Sequence, residues 1–386
     1  MTSSYLDSPF VFKLRKVVRY VELYGLATTL VKVRAQLHTA RTTTFDTPVW
    51  RNPQCGTPDH PSRWVGVIGC GSFAYSGVAY YLRRADRHFL RATYDLSVAR
   101  ARSLCADYAG AYASSSADAL IADNRIRLVF IASNHASHAE YAIRCMDAGK
   151  SVHIEKPHVV SQDQLARLLA AQERNSGSMV FLGFNRPRSR HFKRVRQALA
   201  TQSGPTMINW FIAGHEIPVD HWYFSEAEGG RILGNMCHWT DLTLETVGVE
   251  RAFPCRVTPI SPPTAKSDFC FGISFADGSE ATFSFSAKGH TFEGVREVLN
   301  AHRGDVIVSL RDFKETRIDI VAKRKRRVSF FRDHGHRENI LNSWSAVKNG
   351  DKSRALTSRH NKATARLFLG VKAAMDSGQS QEIALD

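Results

Sequence analysis

The sequence of 386 residues lacks any apolar run near the roughly 20 residues that a membrane-spanning helix needs. Its seven cysteines are scattered, odd in number and without C-x-x-C or other metal-ligand spacing, so we expect no metal site and a reducing compartment. Internal repeats, low-complexity tracts and a small-residue cleavage site after an apolar core are absent as well, which argues against a secretory signal. We therefore expect a cytoplasmic protein.

Acidic residues are few, since 36 Asp and Glu stand against 52 Lys and Arg and the formal net charge is +16. Such a balance usually indicates an anionic partner. The densest basic run is Lys323–Arg327, and nucleic-acid binding is one interpretation of it. Because no DNA-binding motif or interleaved aromatics accompany this run, we expect no nucleic-acid partner and interpret it as a solvated connection between strands.

A second basic region lies near the N-terminus, where seven basic residues against two acidic ones leave a charge of +5 within residues 1–41. Two amphipathic helices are predicted there, with the apolar stripes Leu14, Val17, Val18 and Val21, then Leu26, Leu30, Val33 and Leu37. Both alternatives stay open: contact with anionic lipid at the inner face of the membrane, or docking on this protein or a sister subunit. Residues 1–62 are thus predicted to be a helical extension and a linker, separable from the chain that follows.

A dinucleotide-binding pattern begins after this linker. The apolar run Trp64–Ile68 predicts a buried strand and leads into Gly69-Cys70-Gly71-Ser72-Phe73-Ala74, a G-x-G-x-x-A turn that we call the glycine turn. Its first glycine permits the tight bend, its second lets the backbone approach a pyrophosphate, and its alanine lets the next helix pack on the strand. The expected phosphate-binding residues are Gly69, Gly71, Ser72, Phe73 and Ala74.

The next predicted strand, Phe89–Tyr94, ends at Asp95, about 20 residues beyond the glycines. A carboxylate at this position accepts hydrogen bonds from the adenosine ribose and repels a 2′-phosphate. The sequence therefore predicts NAD as the cofactor in preference to NADP. The nearby Arg100 weakens this preference, because an arginine can bind the 2′-phosphate of NADP.

Three later motifs complete the pattern. They are Asn134-x-x-x-His138 after the strand Leu128–Ala132, Gly149–Pro157 with its Glu155-Lys156-Pro157 ending, and Gly183-Phe184-Asn185-Arg186. With the glycine turn, they resemble the glucose-fructose oxidoreductase, inositol dehydrogenase and rhizopine catabolism family (Gfo/Idh/MocA), from about Arg63 to the C-terminus. The resemblance implies an α/β fold: an N-terminal Rossmann domain with a parallel sheet (63–184) and a C-terminal α+β domain with an open, mainly antiparallel sheet and C-terminal helices (185–386). It also implies a homo-oligomer.

The resemblance makes Lys156 the first catalytic candidate, because the family's lysine lies beside the reacting hydroxyl. Hydride leaves a carbinol carbon only as the hydroxyl proton is removed, so a base must lie within hydrogen-bond reach of the oxygen. The resemblance further implies cofactor contacts by Asn134, His138, Glu155 and Lys156.

His238 is the second catalytic candidate, within the helical pattern Gly229–Asp241. The family commonly has an aspartate one helical turn earlier, but this chain has Gly234 there, followed by Asn235. An amide can hydrogen-bond a hydroxyl and cannot take its proton. Either Lys156 and His238 carry the proton relay, or the activity has changed or been lost.

Substrate contacts follow from the same resemblance. Ile217–Tyr223 resembles the Ile-Pro-x-Asp-His-Trp segment of the family branch found in bacterial surface-polysaccharide clusters, which implies a sugar-nucleotide substrate. The substrate-binding candidates are Asn185, Arg186, His221, Trp222, Asn235 and Asp241.

The sequence as a whole predicts an NAD-dependent oxidoreductase that transfers a hydride between the nicotinamide and a hydroxyl or ketone carbon of a sugar, in particular a nucleotide sugar of polysaccharide biosynthesis. Two alternatives stay open. One is an NAD enzyme without net redox change, such as an epimerase, an eliminating enzyme or a glycosidase. The other is an NAD-binding sensor or interaction protein without catalytic activity, which the missing aspartate before His238 makes credible.

Beyond residue 184, alternating apolar runs predict strands at residues 205–213, 256–260, 269–275, 280–285 and 306–310, with Asp277-Gly278 as a hairpin turn. Two helical segments, residues 338–348 and 361–374, are expected to pack back on the body of the protein.

Overall fold

The computed structural model describes residues 9–42, 60–214, 217, 221–265, 267–289 and 292–385. The chain divides into two compact units. The first, which we call the parallel-sheet unit, comprises Leu30–Phe184 and His336–Lys362; the second, the mixed-sheet unit, comprises Met1–Thr29, Asn185–Gly335 and Ala363–Asp386. The domain boundaries at residues 62 and 184 that the sequence suggests stay predictions.

Within residues 9–42 and 60–64, two helices precede the first sheet, α1 (Phe10–Tyr24) and α2 (Leu26–Arg41). In the described part of the parallel-sheet unit there are six strands: β1 (Val65–Ile68), β2 (Leu90–Tyr94), β3 (Tyr112–Ala113), β4 (Leu128–Ile131), β5 (Ser151–Ile154) and β6 (Val180–Leu182). Its further helices are α3 (Tyr80–Ala85), α4 (Val98–Asp107), α5 (Ala117–Ala122), α6 (His135–Asp147), α7 (Gln162–Arg174) and α11 (His336–Asn349).

All neighbouring strands of this sheet are parallel, in the order β3-β2-β1-β4-β5-β6. Strands β1, β4 and β5 are buried along their whole length, as parallel strands covered on both faces must be. The predicted Rossmann domain is confirmed. The strand order reverses between β1 and β4, so the carboxyl ends of these two strands form the crevice in which such sheets bind ligands.

The residues described for the mixed-sheet unit form nine strands: β7 (Met207–Ala213), β8 (Cys255–Pro259), β9 (Phe269–Phe275), β10 (Glu280–Ser286), β11 (Arg296–Arg303), β12 (Val306–Arg311), β13 (Glu315–Ile320), β14 (Lys323–Val328) and β15 (Gln381–Ile383). Helices α8 (Arg190–Leu199), α9 (Cys237–Val247) and α10 (Val249–Ala252) belong to it, and α12 (Ser358–Ser377) ends in it.

The strand order is β14-β13-β12-β11-β7-β10-β9-β8-β15, and among these described strands only the β7–β10 pair is parallel. The prediction of a mainly antiparallel open sheet is therefore confirmed. Along β7 the side chains alternate: Trp210 and Ile212 are buried in the core of the unit, whereas Met207 and Phe211 are exposed. One face of the sheet carries the core and the other is open.

The interpretation of Lys323–Arg327 as a connection is wrong, because these residues form the edge strand β14 and pair antiparallel with β13. Arg324 reaches Asp319 across the pair with an N–O distance of 2.7 Å, and every residue of β14 is exposed. Charged side chains on an edge strand oppose pairing with another chain, so this basic run protects the end of the sheet.

The N-terminal helices α1 and α2 are packed on one face and exposed on the other. Leu23 of α1 is buried, and Arg19 forms an ion pair with Glu293 in the mixed-sheet unit. Much of the predicted apolar stripe of α1 faces outward instead, since Leu14 and Val18 are each 51% exposed. No helix among the described residues has the length and apolar character that a membrane span requires.

Candidate functional site

The glycine turn lies directly after β1, against the chain that leaves β4. Gly69 has a φ of 84°, and a Cβ at this position would lie 2.4 Å from the backbone nitrogen of Ser133. Only glycine fits this close approach. A Cβ added to Gly71 would meet no atom within 4 Å, so open space lies next to this backbone. The turn therefore has the tight bend and the room that a pyrophosphate requires.

The helix that follows begins with a π-helical segment, Ala74–Ala79, before α3. Ala74 is 1% exposed and packs in the core, as the small residue of the motif should. The Phe73 ring lies over Gly77, and the Ser72 carbonyl accepts a hydrogen bond from Ser76 Oγ at 2.8 Å. Packing of Phe73 and Ala74 thus holds the start of this helix at the turn.

Asp95 follows β2 and is fixed by backbone donors. Its Oδ2 accepts a 2.8 Å hydrogen bond from the Cys70 N–H inside the glycine turn, and its Oδ1 accepts one of 2.8 Å from the Ser97 N–H. Arg100 Nη1 is 4.0 Å from Oδ1. A carboxylate has about four acceptor sites, so two sites remain for ribose hydroxyls.

The loop after β4 holds Asn134 and His138. Asn134 is the N-cap of α6, and its Oδ1 accepts a 2.7 Å hydrogen bond from Ser137. His138 is 1% exposed, and its two ring nitrogens lie 2.8 Å from the Pro157 carbonyl and 3.0 Å from the Ser133 carbonyl. Burial lowers the pKa of His138, although both carbonyls oppose this. His138 therefore joins the loop after β4 to the Lys156–Pro157 segment.

Glu155 and Lys156 follow β5, and the Lys156–Pro157 peptide is cis. The Glu155 carboxylate is buried and lies so close to Gly183 that a Cβ there would be 2.6 Å from Oε2. Its Oε1 is 3.7 Å from Nε2 of His153. Lys156 itself is half-buried. Glu155 thus fixes the backbone that carries Lys156 at the carboxyl end of the sheet.

In the mixed-sheet unit, His238 lies in the first turn of α9, directly after a π-helical segment, Ile232–Met236. It is 8% exposed, and its ring meets that of Trp239 edge-on with centroids 6.2 Å apart. Asn235 is half-buried, and its Oδ1 accepts a 3.5 Å hydrogen bond from Arg231. The backbone of Gly234 is buried, and no carboxylate stands at this position.

Asn185 and Arg186 are held by partners far along the chain. Arg186 donates to both oxygens of Glu297, from Nε at 2.7 Å and from Nη2 at 3.0 Å, and its guanidinium lies 5.1 Å from the Trp239 ring centre. Asn185 donates to the His334 carbonyl at 2.6 Å. The charge of Arg186, a predicted substrate contact, is thus balanced inside the protein.

Glu297 is fully buried, which alone would raise its pKa, but Arg186 and His334 outweigh burial and lower the pKa to about 2. Its Oε2 also accepts a 2.8 Å hydrogen bond from Trp239 Nε1. Burial lowers the pKa of His334, so we assign a neutral ring whose Nε2 lies 3.3 Å from Glu297. The ionised carboxylate is the centre of this network.

Asp241, another predicted substrate contact, is only 2% exposed and accepts a 3.3 Å hydrogen bond from Thr364 of α12. Burial raises the pKa of Asp241 well above its ordinary value, and Glu245 adds to the rise. The charged form of this side chain is therefore disfavoured in the interior of the unit. Its role as a substrate contact stays a prediction that this burial disfavours.

His221 and Trp222 begin the short 3₁₀ helix Trp222–Phe224, where His221 Nδ1 accepts a 3.3 Å hydrogen bond from the Tyr223 N–H. Trp222 is 49% exposed, which leaves its ring accessible. Most of the preceding Ile-Pro-x-Asp segment lies outside the described residues.

The sequence did not indicate Glu297 or His334, which are 111 and 149 residues away from their partners Arg186 and Asn185. No local spacing reveals such pairs. The structure places Lys156 in the parallel-sheet unit and His238 in the mixed-sheet unit. Within the described residues, no group of three or more His, Cys, Asp or Glu side chains is arranged to hold a metal ion.

Residues 63–184 match the family profile described as "Oxidoreductase family, NAD-binding Rossmann fold", named GFO_IDH_MocA. These residues belong to the Gfo/Idh/MocA family. The Rossmann domain is therefore an NAD-binding domain of an oxidoreductase family, and both the family and the cofactor expected from the sequence are confirmed.

Curated proteins similar to this chain include inositol dehydrogenases and other oxidoreductases. The chain is 31% identical over 206 residues to inositol 2-dehydrogenase 2 of Saccharopolyspora erythraea, which covers 53% of this chain and 60% of the relative. It is 26% identical over 148 residues to inositol 2-dehydrogenase of Ralstonia nicotianae, covering 38% of this chain and 44% of the relative. The matches span about half the length of these relatives.

Solved structures with a similar fold cover more of the chain. GenD2 from gentamicin A biosynthesis, solved in complex with NAD, has a TM-score of 0.69 at 21% identity and covers 87% of this chain and 99% of its own. UDP-N-acetylglucosamine 3-dehydrogenase from Acidithiobacillus ferrooxidans has a TM-score of 0.68 at 19% identity, covering 81% and 98%. At these identities the likeness establishes the two-part fold.

Proposed function

We propose that this protein is an NAD-dependent oxidoreductase that transfers a hydride between the nicotinamide and a carbon bearing a hydroxyl or ketone oxygen of a sugar, with nucleotide-linked sugars as the substrate class. One observation carries the proposal. Lys156 lies at the carboxyl end of β5, in the same parallel sheet whose β1 ends in the glycine turn, and only β4 separates the two strands. An ionisable amine thus lies beside a dinucleotide-binding crevice.

The residues of the parallel-sheet unit fit NAD. The open space at Gly71 suits the pyrophosphate, and the remaining acceptor sites of Asp95 suit the ribose hydroxyls. Bound NAD supplies the hydride acceptor for oxidation, and NADH the donor for reduction. The protein's own part is to bind, to orient the substrate and to move one proton.

Lys156 is the group that we assign to the substrate oxygen, where its amine accepts the hydroxyl proton during oxidation and returns it during reduction. His138 and Glu155 hold the backbone of Lys156 through Pro157 and Gly183, so we assign them positioning roles. His238 and Asn235 are assigned to orientation of the substrate hydroxyls.

The substrate class rests on the aromatic and charge character of the chain. The half-exposed Trp222 offers a flat apolar face on which a sugar or a base can stack. The net charge of +16 favours an anionic substrate such as a nucleoside-diphosphate sugar. The structural likeness to a UDP-N-acetylglucosamine 3-dehydrogenase agrees with this class. A role in polysaccharide biosynthesis is part of the proposal.

The deciding experiment follows NADH absorbance while the protein is incubated with NAD and three substrate sets: cyclitols such as myo-inositol, free sugars, and UDP-linked sugars. We expect net NADH formation with the UDP-linked set. Sugar turnover without net NADH would instead indicate an epimerase, an eliminating enzyme or a glycosidase.

A second function is favoured by Gly234, which leaves no carboxylate one turn before His238. An NAD-binding sensor or interaction protein would retain NAD and convert none of the three substrate sets in either direction. Mass spectrometry of the ligands that the purified protein retains separates this case from the choice of a wrong substrate, because a retained sugar nucleotide identifies the substrate class directly.

Asp95→Ala is expected to narrow the preference for NADH over NADPH by weakening NADH binding about tenfold, because two ribose hydrogen bonds are lost. Titration of both cofactors into the variant and the unmodified protein measures the effect. Asp123→Ala, which removes a carboxylate bound to Arg91 elsewhere in the unit, is the control. Equal affinity of the unmodified protein for the two cofactors would contradict the role of Asp95.

The outward face of α1 is proposed to contact anionic lipid at the inner face of the membrane. Phe10 is 77% exposed, Leu14 and Val18 follow on the same side, and the helix carries Lys13 and Arg15. Such a helix binds in the headgroup region through its apolar residues and its positive charge.

Phe10→Ser with Leu14→Ser is therefore expected to abolish co-sedimentation with phosphatidylglycerol vesicles, and the unmodified protein's binding is expected to fall as salt is added. Val321→Ser, at an apolar position that is 83% exposed, is the matched control. If the double variant changes the oligomer in solution and leaves vesicle binding intact, the helix contacts a sister subunit.

A homo-oligomer is proposed separately, through the open sheet face that carries Met207 and Phe211.

A further inference from the structure

The last turns of α2 lie against the glycine turn, although the sequence predicts a separable extension. His38 is 4% exposed, and its Nε2 lies 2.8 Å from the Cys70 carbonyl. Its Nδ1 lies 2.8 Å from Ser103 Oγ of α4, and its ring stacks on Tyr75 with centroids 4.7 Å apart. His38 is therefore packed between the turn and two helices of the Rossmann domain.

The chemistry of the partners determines the tautomer of this histidine. A backbone carbonyl only accepts, so His38 Nε2 carries the hydrogen and donates it to Cys70. Burial lowers the pKa of His38, so the ring is neutral and Nδ1 accepts the hydrogen bond from the Ser103 hydroxyl. Each ring nitrogen has a partner of the matching kind.

The backbone N–H and the carbonyl of Cys70 are therefore both hydrogen-bonded to side chains. The Cys70 N–H donates to Asp95 on one side, and the Cys70 carbonyl accepts from His38 on the other. Cys70 is fully buried and stands between Gly69 and Gly71, the two glycines on which pyrophosphate binding depends. Glycines leave a chain free to adopt other conformations, so a turn of this kind needs such restraints to be ordered before the ligand arrives.

A second contact joins the end of α2 to the ribose side. The Thr42 carbonyl accepts a 3.2 Å hydrogen bond from Ser97 Oγ, and the Ser97 N–H is the donor to Asp95 Oδ1. Val31 and Ala35 of α2 are buried in the same core cluster as β1. The helix is thus packed on the domain along its length and contacts two of its cofactor-binding elements.

We propose that α2 is an integral part of the dinucleotide site and that His38 is a positioning residue that orders the glycine turn for the adenosine diphosphate half of NAD. The proposal rests on NAD binding by the Rossmann domain. It goes beyond the family resemblance, which begins at about Arg63, and it reverses the expectation that the first 41 residues are separable from cofactor binding.

The experiment measures the dissociation constants of NADH and of ADP-ribose, without substrate, in the full chain. His38→Ala is expected to weaken both ligands about tenfold, since a preorganised turn is lost. His38→Gln, whose amide N–H can replace the donor to Cys70, is expected to recover most of the affinity. ADP-ribose lacks the nicotinamide, so an equal loss for both ligands places the effect in the adenosine diphosphate half.

Val31→Ala is the matched control, because it removes packing of the same helix on the same core without touching the turn. It is expected to lower the melting temperature and leave both dissociation constants unchanged. If Val31→Ala weakens the ligands as much as His38→Ala does, or if His38→Ala leaves them unchanged, His38 does not position the turn. Failure of the unmodified protein to bind NADH would instead overturn the proposed function itself.

Discussion

Lys156→Met is expected to lower kcat by about 10²–10⁴-fold, the range that removal of a general base produces, while the NADH dissociation constant stays within about twofold. The reason is positional. Lys156 lies after β5, whereas the proposed phosphate and ribose contacts come from the glycine turn after β1 and from Asp95 after β2. Methionine keeps the length of the side chain and removes only the amine.

The measurement is steady-state turnover with the active substrate set, together with direct NADH titration. Lys193→Met, an exposed lysine on α8, is the matched control and is expected to keep full turnover. Lys156→Arg keeps the positive charge but cannot give up its proton, so we expect it to bind NADH and turn over slowly as well. Full turnover in Lys156→Met would refute the assignment of this lysine as the base.

Substitution of His238 distinguishes a role in orienting the substrate from a role in proton transfer. If Lys156 takes the proton and His238 orients the substrate, His238→Ala mainly raises KM and lowers kcat less than Lys156→Met does. An equal loss of kcat in both variants would mean that the two residues share the proton relay.

Glu297→Gln is expected to destabilise the mixed-sheet unit by roughly 3–5 kcal/mol, because it leaves the buried guanidinium of Arg186 facing a neutral amide. The amide oxygen still accepts the hydrogen bond from Trp239, so the loss of stability reflects the missing negative charge. Thermal denaturation should show a fall of roughly 6–20 °C. Glu140→Gln, which removes one side of the exposed Arg167 pair, is the control and is expected to cost about 0–1 kcal/mol.

The pH dependence follows from the lowered pKa of Glu297, about 2 in the folded protein against an ordinary 4.5. A depressed carboxyl pKa stabilises the fold fully above the ordinary value, and this stabilisation disappears as the pH falls from 4.5 towards 2. The stability difference between the unmodified protein and Glu297→Gln should therefore be constant at neutral pH and shrink below pH 4.5. A difference that persists unchanged at pH 3 would show that the charge of Glu297 is not its source.

Prediction from sequence worked where the determinants are close together in the chain. The glycine turn, the buried strand before it and Asp95 all lie within one βαβ pattern, because phosphate binding needs glycine backbone and a helix start at fixed spacing. The Glu155-Lys156-Pro157 segment is likewise local. The strand of alternating polarity at β9 and the Asp277-Gly278 turn were predictable for the same reason.

Strand prediction from the sequence failed where charged residues hid the alternation of apolar side chains that is typical of a strand. Strand β11 alternates buried with more exposed residues, but two of its four buried residues, Glu297 and Arg303, are charged. Strand β14 is basic at every position except Val328, so neither strand has the apolar content on which strand prediction relies. The ladder with β13 makes β14 a strand, and that hydrogen bonding is visible only in the folded sheet.

The sequence by itself determined the Rossmann domain, its binding of NAD and the position of Lys156 after β5, since each depends on residue types at short spacing. Only the tertiary structure decided that Arg186 is neutralised by Glu297 and that His38 holds the carbonyl of Cys70. These contacts join residues 111 and 32 positions apart, and their energy depends on burial and on the geometry of donor and acceptor, which packing alone creates.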